Sequence, residues 1–217
     1  MRMHPLLAGL AAVGVLPVVE LPSADVAAPL VKALIAGGCP VVEITLRSAA
    51  GLEALPVIRR SFPDVLIGAG TVRTLADAHR CLAAGAQFIV SPGTNPEIIA
   101  LCRSLDVPVM PGACTPTEVD AAVTAGATAV KFFPAEAMGG VKTLKALAGP
   151  FRDVSFVPTG GIGPANLASY LALPGVPACG GSWLVATGLL AEGRFGQVAE
   201  LTREAVAIAA KVRAGAA

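Results

Sequence analysis

Residues 123–132 read VTAGATAVKF. An alanine-rich helical end runs into Gly126 and an apolar strand follows at once, the pattern of a left-handed glycine cap feeding a strand. The same unit occurs twice upstream, as IAGGCPVVEI at 35–44 and LAAGAQFIV at 82–90. Working outward from these three, the apolar runs VGVLPVVE from Val13, PVVEITLR from Pro40, VLIGAGTV from Val65 and FIVSPGT from Phe88 are predicted to be strands. So are VPVMPGA from Val107, AVKFFPAE from Ala129, SFVPTGG from Ser155 and ACGGSWL from Ala178. Helix-length segments lie between them. Ser23-Ala24-Asp25 is expected to cap the helix that ends at Gly37-Gly38, and Thr74 with Asp77 the one that ends at Gly85. Asn95-Pro96-Glu97 opens a third with proline at its first position, and Thr115 to Glu118 a fourth that ends at Gly126.

Uninterrupted apolar strands alternating with helices pair in parallel, with both sheet faces covered. Eight such units close into a (β/α)8 barrel, so the fold class is α/β, a single TIM barrel with a short N-terminal helix. An open doubly wound sheet is the competitor, but it wants a GxGxxG turn after the first strand, and none is there. The 217 residues suit one barrel domain over 1–217, with no linker or low-complexity tract.

Composition narrows the function. Apolar residues make up 54% and charged residues 14%, ample for a core and sparse for a surface, so some apolar surface is expected to meet another subunit. The net charge of +1, without a basic or acidic block, gives nucleic acid no electrostatic footing. Cys39, Cys81, Cys102, Cys114 and Cys179 show no CxxC or CxxH spacing and read as free thiols in a reducing cytosol. His4 and His79 have no partner at ligand spacing, so no metal centre is expected. The apolar run Leu6 to Val19, after Arg2, could pass for a signal peptide. It reads better as a helix opened by Pro5 and broken at Gly14, followed by a buried strand. No later stretch reaches the roughly 18–20 apolar residues of a spanning helix. These features point to a cytoplasmic protein without membrane contact.

Active sites of such barrels lie at the C-terminal strand ends. In the second strand, alternation puts Glu43, Thr45 and Arg47 on one face, toward the interior, and Val42, Ile44 and Leu46 on the other. A buried carboxylate needs a partner. Glu43 with Arg47 is the expected pair, either filling the mouth of the barrel or receiving an acid substrate. In the sixth strand Lys131 sits among Val130, Phe132 and Phe133. Burial there favours a free amine, the form that attacks a carbonyl; a lysine snorkelling from an outer face is the alternative. Gly160-Gly161 and Gly180-Gly181-Ser182 end the last two strands, where backbone N–H groups can hold a phosphate. Glycine pairs also make plain tight turns. Thr71, after Gly70, is placed to bond a carboxylate or carbonyl, and Pro92 to shape the wall.

The segments VVEITLRS, IGAGTV, FIVSPGT, VKFFPAE before a GG pair, GPF, PTGGI before PAN, and GGSWLV stand in one order along the chain. Together they resemble the 2-keto-3-deoxy-6-phosphogluconate (KDPG) aldolase / 4-hydroxy-2-oxoglutarate aldolase family of the Entner–Doudoroff pathway, from about Leu16 to the final helix. The resemblance implies a class I, Schiff-base lyase that makes pyruvate and glyceraldehyde 3-phosphate, with a side activity on 4-hydroxy-2-oxoglutarate. It implies a homotrimer without metal or cofactor. By resemblance Lys131 forms the Schiff base and Glu43 is the acid/base. Arg47 and Thr71 bind the pyruvate carboxylate, with Pro92 in the same pocket. Gly160, Gly161, Gly181 and Ser182 bind phosphate, and Thr159 lies beside the substrate hydroxyls. The segment PGACTPTE at 111–118 departs from the family pattern and borders the pocket, which keeps the 6-phosphogalactonate epimer as an alternative substrate. Two other readings are a barrel of another reaction class, with Lys131 clamping an anion, and a non-catalytic binding barrel. The combination of Glu43, Arg47 and Lys131 favours the aldolase.

Overall fold

The computed structural model describes residues 5–215; Arg2 and His4 lie outside that range. Nine strand segments form the sheet: β1 (Val15–Val19), β2 (Val41–Thr45), β3 (Leu66–Gly70), β4 (Phe88–Val90), β5 (Val109–Met110), β6 (Gly112–Ala113), β7 (Ala129–Phe132), β8 (Ser155–Phe156) and β9 (Cys179–Gly181). Pairing runs β5-β4-β3-β2-β1-β9 in one sheet and β6-β7-β8 in the other, all parallel. Two seams turn these sheets into a ring. β5 and β6 are halves of one barrel strand interrupted at Pro111, which has no N–H to give the ladder. β8 and β9 meet just past the end of β8, at a single bridge, Thr159 with Gly180, where the Gly180 N–H donates to the Pro158 carbonyl at 2.8 Å. Chain order therefore equals spatial order around the ring, the arrangement of a (β/α)8 barrel.

The helices are α1 (Pro5–Val13), α2 (Ala27–Ala36), α3 (Ala49–Ser61), α4 (Leu75–Ala83), α5 (Pro96–Ser104), α6 (Pro116–Thr124), α7 (Gly140–Ala148), α8 (Leu167–Leu171), α9 (Thr187–Ala191) and α10 (Phe195–Ala214). Local chemistry explains most of their ends. Thr74 accepts from the Asp77 N–H at 3.1 Å and Asn95 from the Glu97 N–H at 3.0 Å. Thr115 and Glu118 satisfy each other's backbone N–H groups in a capping box. Gly38, Gly85 and Gly126 have φ of 85°, 99° and 101°, the left-handed conformation that lets each helix turn into its strand. Ser23 departs from expectation. A 3-10 turn, Ala24–Val26, intervenes before α2, and the Ser23 side chain makes no cap bond. The extra turn moves the true helix start beyond the reach of that hydroxyl.

The N-terminal apolar run forms α1 and then β1, as expected, with Gly14 at φ 81° where a Cβ would lie 2.4 Å from the Cβ of Ala209. Among the described residues no helix is long and apolar enough to cross a membrane. The strands are buried almost throughout, and the inner faces of the helices cover them with Leu30, Leu34, Leu55, Ile58, Ile98, Val119, Leu144 and Val198. Inside the ring, Phe88 fills the space that Gly68 leaves open. Cys39, Cys81, Cys102 and Cys179 belong to this core as free thiols, and burial pushes the Cys39 thiol up to about 12. Cys114 is also free and half-buried.

Candidate active site

β2 and β7 stand on opposite sides of the ring, and each sends one charged side chain inward. Glu43 is 1% exposed and Lys131 5% exposed. They meet across the interior, with Lys131 Nζ donating to Glu43 Oε1 at 3.2 Å. Room for the carboxylate comes from Gly70 on β3, where a Cβ would sit 2.2 Å from Oε1. The ammonium also lies 5.3 Å from the centre of the Phe133 ring, within range of a cation–π contact. Thr45, two residues beyond Glu43, points inward too, but its hydroxyl donates to the Val19 carbonyl at 2.8 Å and joins β2 to β1.

The expected Glu43–Arg47 pair does not form; the partner of Glu43 is Lys131. β2 ends at Thr45, so strict alternation ends there and Arg47 lies exposed on the turn beyond it. Among the described residues Arg47 has no ion pair. It lines an open cleft of about 790 Å³ with Ser48, Thr71, Arg73 and Asp77. Thr71 has a φ of 58°, a costly conformation for a β-branched residue, and such strain gathers at functional sites. Neither its N–H nor its hydroxyl has a partner among the described residues, so both are open to a ligand in that cleft. Pro92 is exposed and lines a neighbouring hollow of about 340 Å³ with Ser91 and Gly93; Arg73 is common to both spaces.

The last two strand ends form a cup of backbone. Gly160 and Gly161 have φ of 103° and 74°, and their N–H groups have no partner among the described residues. The turn is braced from three directions. Glu136 N–H donates to Gly160 O at 3.1 Å, Ala135 N–H to Thr159 O at 2.8 Å, and Asn166 Nδ2 to Gly161 O at 3.1 Å. Across the seam, Gly180 makes room for Thr159 and Gly181 for the Trp183 ring, where a Cβ would come within 2.2 Å and 2.3 Å. Thr159 is buried, with its hydroxyl 3.4 Å from the Val157 carbonyl, and Ser182 is exposed at the rim. Among the described residues Trp183 Nε1 is buried without a partner, and the ring packs against Gly181 at the cup.

Sequence reasoning missed Glu136 and Asn166, which brace the cup, and Tyr170, whose hydroxyl donates to the Glu136 carboxylate. Asn166 and Glu136 stand inside quoted motifs, PAN and VKFFPAE, which was the available signal; Tyr170 carries none beyond being the chain's single tyrosine. Another hollow of about 340 Å³, lined mainly by Leu144, Phe151, Val154, Leu173 and Val176, opens at the N-terminal ends of β8 and β9. It lies at the opposite end of the barrel from the lysine–carboxylate pair, and its lining includes Lys145 and Arg152 but no acid. Among the described residues no three His, Cys, Asp or Glu side chains cluster as metal ligands would.

A buried amine touching a carboxylate, an open arginine beside a strained threonine, and a cup of free amides form one end of the barrel. Residues 8–201 match the family described as KDPG and KHG aldolase. A 2-dehydro-3-deoxy-phosphogluconate aldolase of Treponema pallidum is 48% identical over 90% of this chain and 93% of its own length. The KHG/KDPG aldolase of Escherichia coli K12 is 43% identical over 88% of this chain and 90% of its own. A crystal structure of the Legionella pneumophila KDPG aldolase, with pyruvate captured as a covalent carbinolamine, superposes with a TM-score of 0.88. It is 40% identical and covers 94% of this chain and 98% of that one.

Proposed function

The chain belongs to the KDPG and KHG aldolase family, and from that premise we propose that Lys131 is its Schiff-base nucleophile and Glu43 its acid/base. The chain is a lyase that cleaves 2-dehydro-3-deoxy-6-phosphogluconate to pyruvate and glyceraldehyde 3-phosphate through a Schiff base. One observation carries the assignment of residues: the 3.2 Å contact between Lys131 Nζ and Glu43 Oε1, both buried inside the barrel. An ammonium has no lone pair, so the nucleophile must first lose a proton, and Glu43 is the acceptor already in contact with it.

Lys131 then attacks the C2 ketone, and the resulting carbinolamine loses water to give an iminium. Glu43, directly or through a water, takes the C4 hydroxyl proton. The C3–C4 bonding pair flows into the iminium, glyceraldehyde 3-phosphate leaves, and an enamine remains. Protonation at C3 gives the pyruvate imine, and water releases pyruvate and the free amine. Arg47 and Thr71 hold the substrate carboxylate, with Pro92 on the wall beside them; a guanidinium with no acid partner suits that role. Gly160, Gly161, Gly181 and Ser182 hold the phosphate, and Thr159 lies beside the hydroxyls.

A single domain over 1–217 carries the activity, as a cytoplasmic homotrimer. Free thiols, exposed Ile35, Leu105 and Met138, and the low charge content support that picture. A side activity on 4-hydroxy-2-oxoglutarate is also proposed, supported by the name of the E. coli relative. The 6-phosphogalactonate epimer is the alternative substrate, and kcat/KM for the two epimers separates them. Borohydride reduction in the presence of pyruvate tests the central assignment. A reduced pyruvyl group is expected on Lys131 by peptide mass mapping, and a label on Lys142 or Lys145 instead would remove Lys131 from the role.

A further inference from the structure

We propose that Tyr170 is a positioning residue for the phosphate cup: its hydroxyl holds the Glu136 carboxylate away from the free N–H groups of Gly160 and Gly161, which that carboxylate would otherwise occupy in place of substrate phosphate. The proposal rests on the reading of the cup as the phosphate site.

Glu136 follows β7 and packs directly on the glycine turn. A Cβ added to Gly161 would lie 2.6 Å from Glu136 Cβ and 2.7 Å from its Cγ. The backbone N–H of Glu136 already donates to Gly160 O at 3.1 Å. An exposed carboxylate is therefore tethered within a side chain's length of two amides that have no partner. Carboxylate and phosphate oxygens accept the same N–H bonds, so nothing in the chemistry of the cup tells them apart. A carboxylate left facing the cup would also repel an incoming dianion.

The carboxylate is turned elsewhere. Tyr170 on α8, 0% exposed, donates its hydroxyl to Glu136 Oε1 in a short contact. Gly140 opens the space for this pair, since a Cβ there would stand 3.0 Å from Oε1 and 3.2 Å from the tyrosine oxygen. Burial, and then the carboxylate itself, push the Tyr170 phenol well above its ordinary range, which keeps it a donor at any working pH. The phenol is fixed by the core, so the carboxylate it grips is fixed too.

A double-mutant cycle decides the matter, reading KM for 2-dehydro-3-deoxy-6-phosphogluconate and the competitive Ki of inorganic phosphate. Tyr170→Phe removes one oxygen and frees the carboxylate; both constants are expected to rise roughly tenfold, the scale of a hydrogen bond to a charged group. Borohydride trapping of pyruvate, which needs no phosphate, should stay at the wild-type level. Adding Glu136→Gln to Tyr170→Phe should bring both constants back to within about threefold of wild type, because the competing charge is gone. Glu136→Gln alone should bind phosphate at least as tightly as wild type, a readout that stands even if Tyr170→Phe folds poorly. The proposal is overturned if Tyr170→Phe leaves both constants unchanged, if the double variant is no better than the single, or if Glu136→Gln alone weakens phosphate. Wild-type protein in which inorganic phosphate does not compete with substrate would instead overturn the reading of the cup itself, a result distinct from competition that ignores Tyr170.

Discussion

The interior pair and the rim cup hold charge by opposite means. Glu43 and Lys131 are side chains brought together from opposite sides of the ring, 88 residues apart in sequence, and each satisfies the other in the buried interior. The cup offers backbone N–H groups from Gly160 and Gly161, neighbours in the chain, held open toward solvent. Side chains can change protonation, the freedom that the role proposed for the interior pair requires. Backbone amides cannot, which suits the cup to the fixed grip proposed for it. The difference separates turnover from binding, so damage to each region should appear in a different kinetic constant.

The largest effect is expected from Glu43→Gln. The amide keeps the shape and part of the hydrogen bonding but cannot carry a proton, so kcat should fall by roughly 10² to 10⁴. Exchange of pyruvate methyl protons with D2O should nearly stop, while Lys131 is still trapped by borohydride after long incubation. If Glu43 only neutralises Lys131, the variant loses about 3–5 kcal/mol of stability instead, the cost of breaking a buried pair. A folded variant with normal exchange would assign Glu43 a structural role.

Gly161→Val comes next and addresses the other region. A Cβ there collides with Glu136, and φ of 74° is hostile to valine. KM for the phosphorylated substrate should rise by about 10- to 100-fold, equivalent to losing one or two hydrogen bonds to a charged group. Pyruvate imine formation should change little. Equal losses in both would mean that the turn supports folding and that the two regions are not separable.

Thr71→Gly should be the smallest perturbation and the one of mixed sign. Relieving a β-branched residue at φ 58° is worth on the order of 1 kcal/mol, so Tm should rise by a few degrees. Removing the hydroxyl should weaken pyruvate binding at the same time. A variant with lower Tm would show that Thr71 carries packing its backbone angle conceals.

The same contrast governs what the sequence disclosed. The strands were legible because a covered parallel sheet needs uninterrupted apolar runs, and Glu43 and Lys131 were conspicuous because each breaks one. Partnership was less legible. Alternation along β2 assigned Arg47 to Glu43, but the strand ends at Thr45 and the true partner arrives from across the ring. The interruption at Pro111 was equally hidden, since one proline in VPVMPGA does not reveal whether its missing N–H faces a ladder. The glycines of the cup were readable only as permission for unusual backbone. The bracing by Tyr170 spans 34 residues and leaves no periodic trace.

The bridge between Thr159 and Gly180 has one further consequence. β2 and β3 are zipped by a register of five residue pairs, while β8 and β9 touch at one. Local opening of a structure begins where the fewest bonds must break, so this seam is the natural point of breathing. Gly160 and Gly161 stand on one lip and Gly181 and Ser182 on the other. An anion held by both lips, as proposed for the substrate phosphate, would act as a removable stitch: opening the seam would then break its bonds as well, and the occupied barrel would breathe less than the empty one.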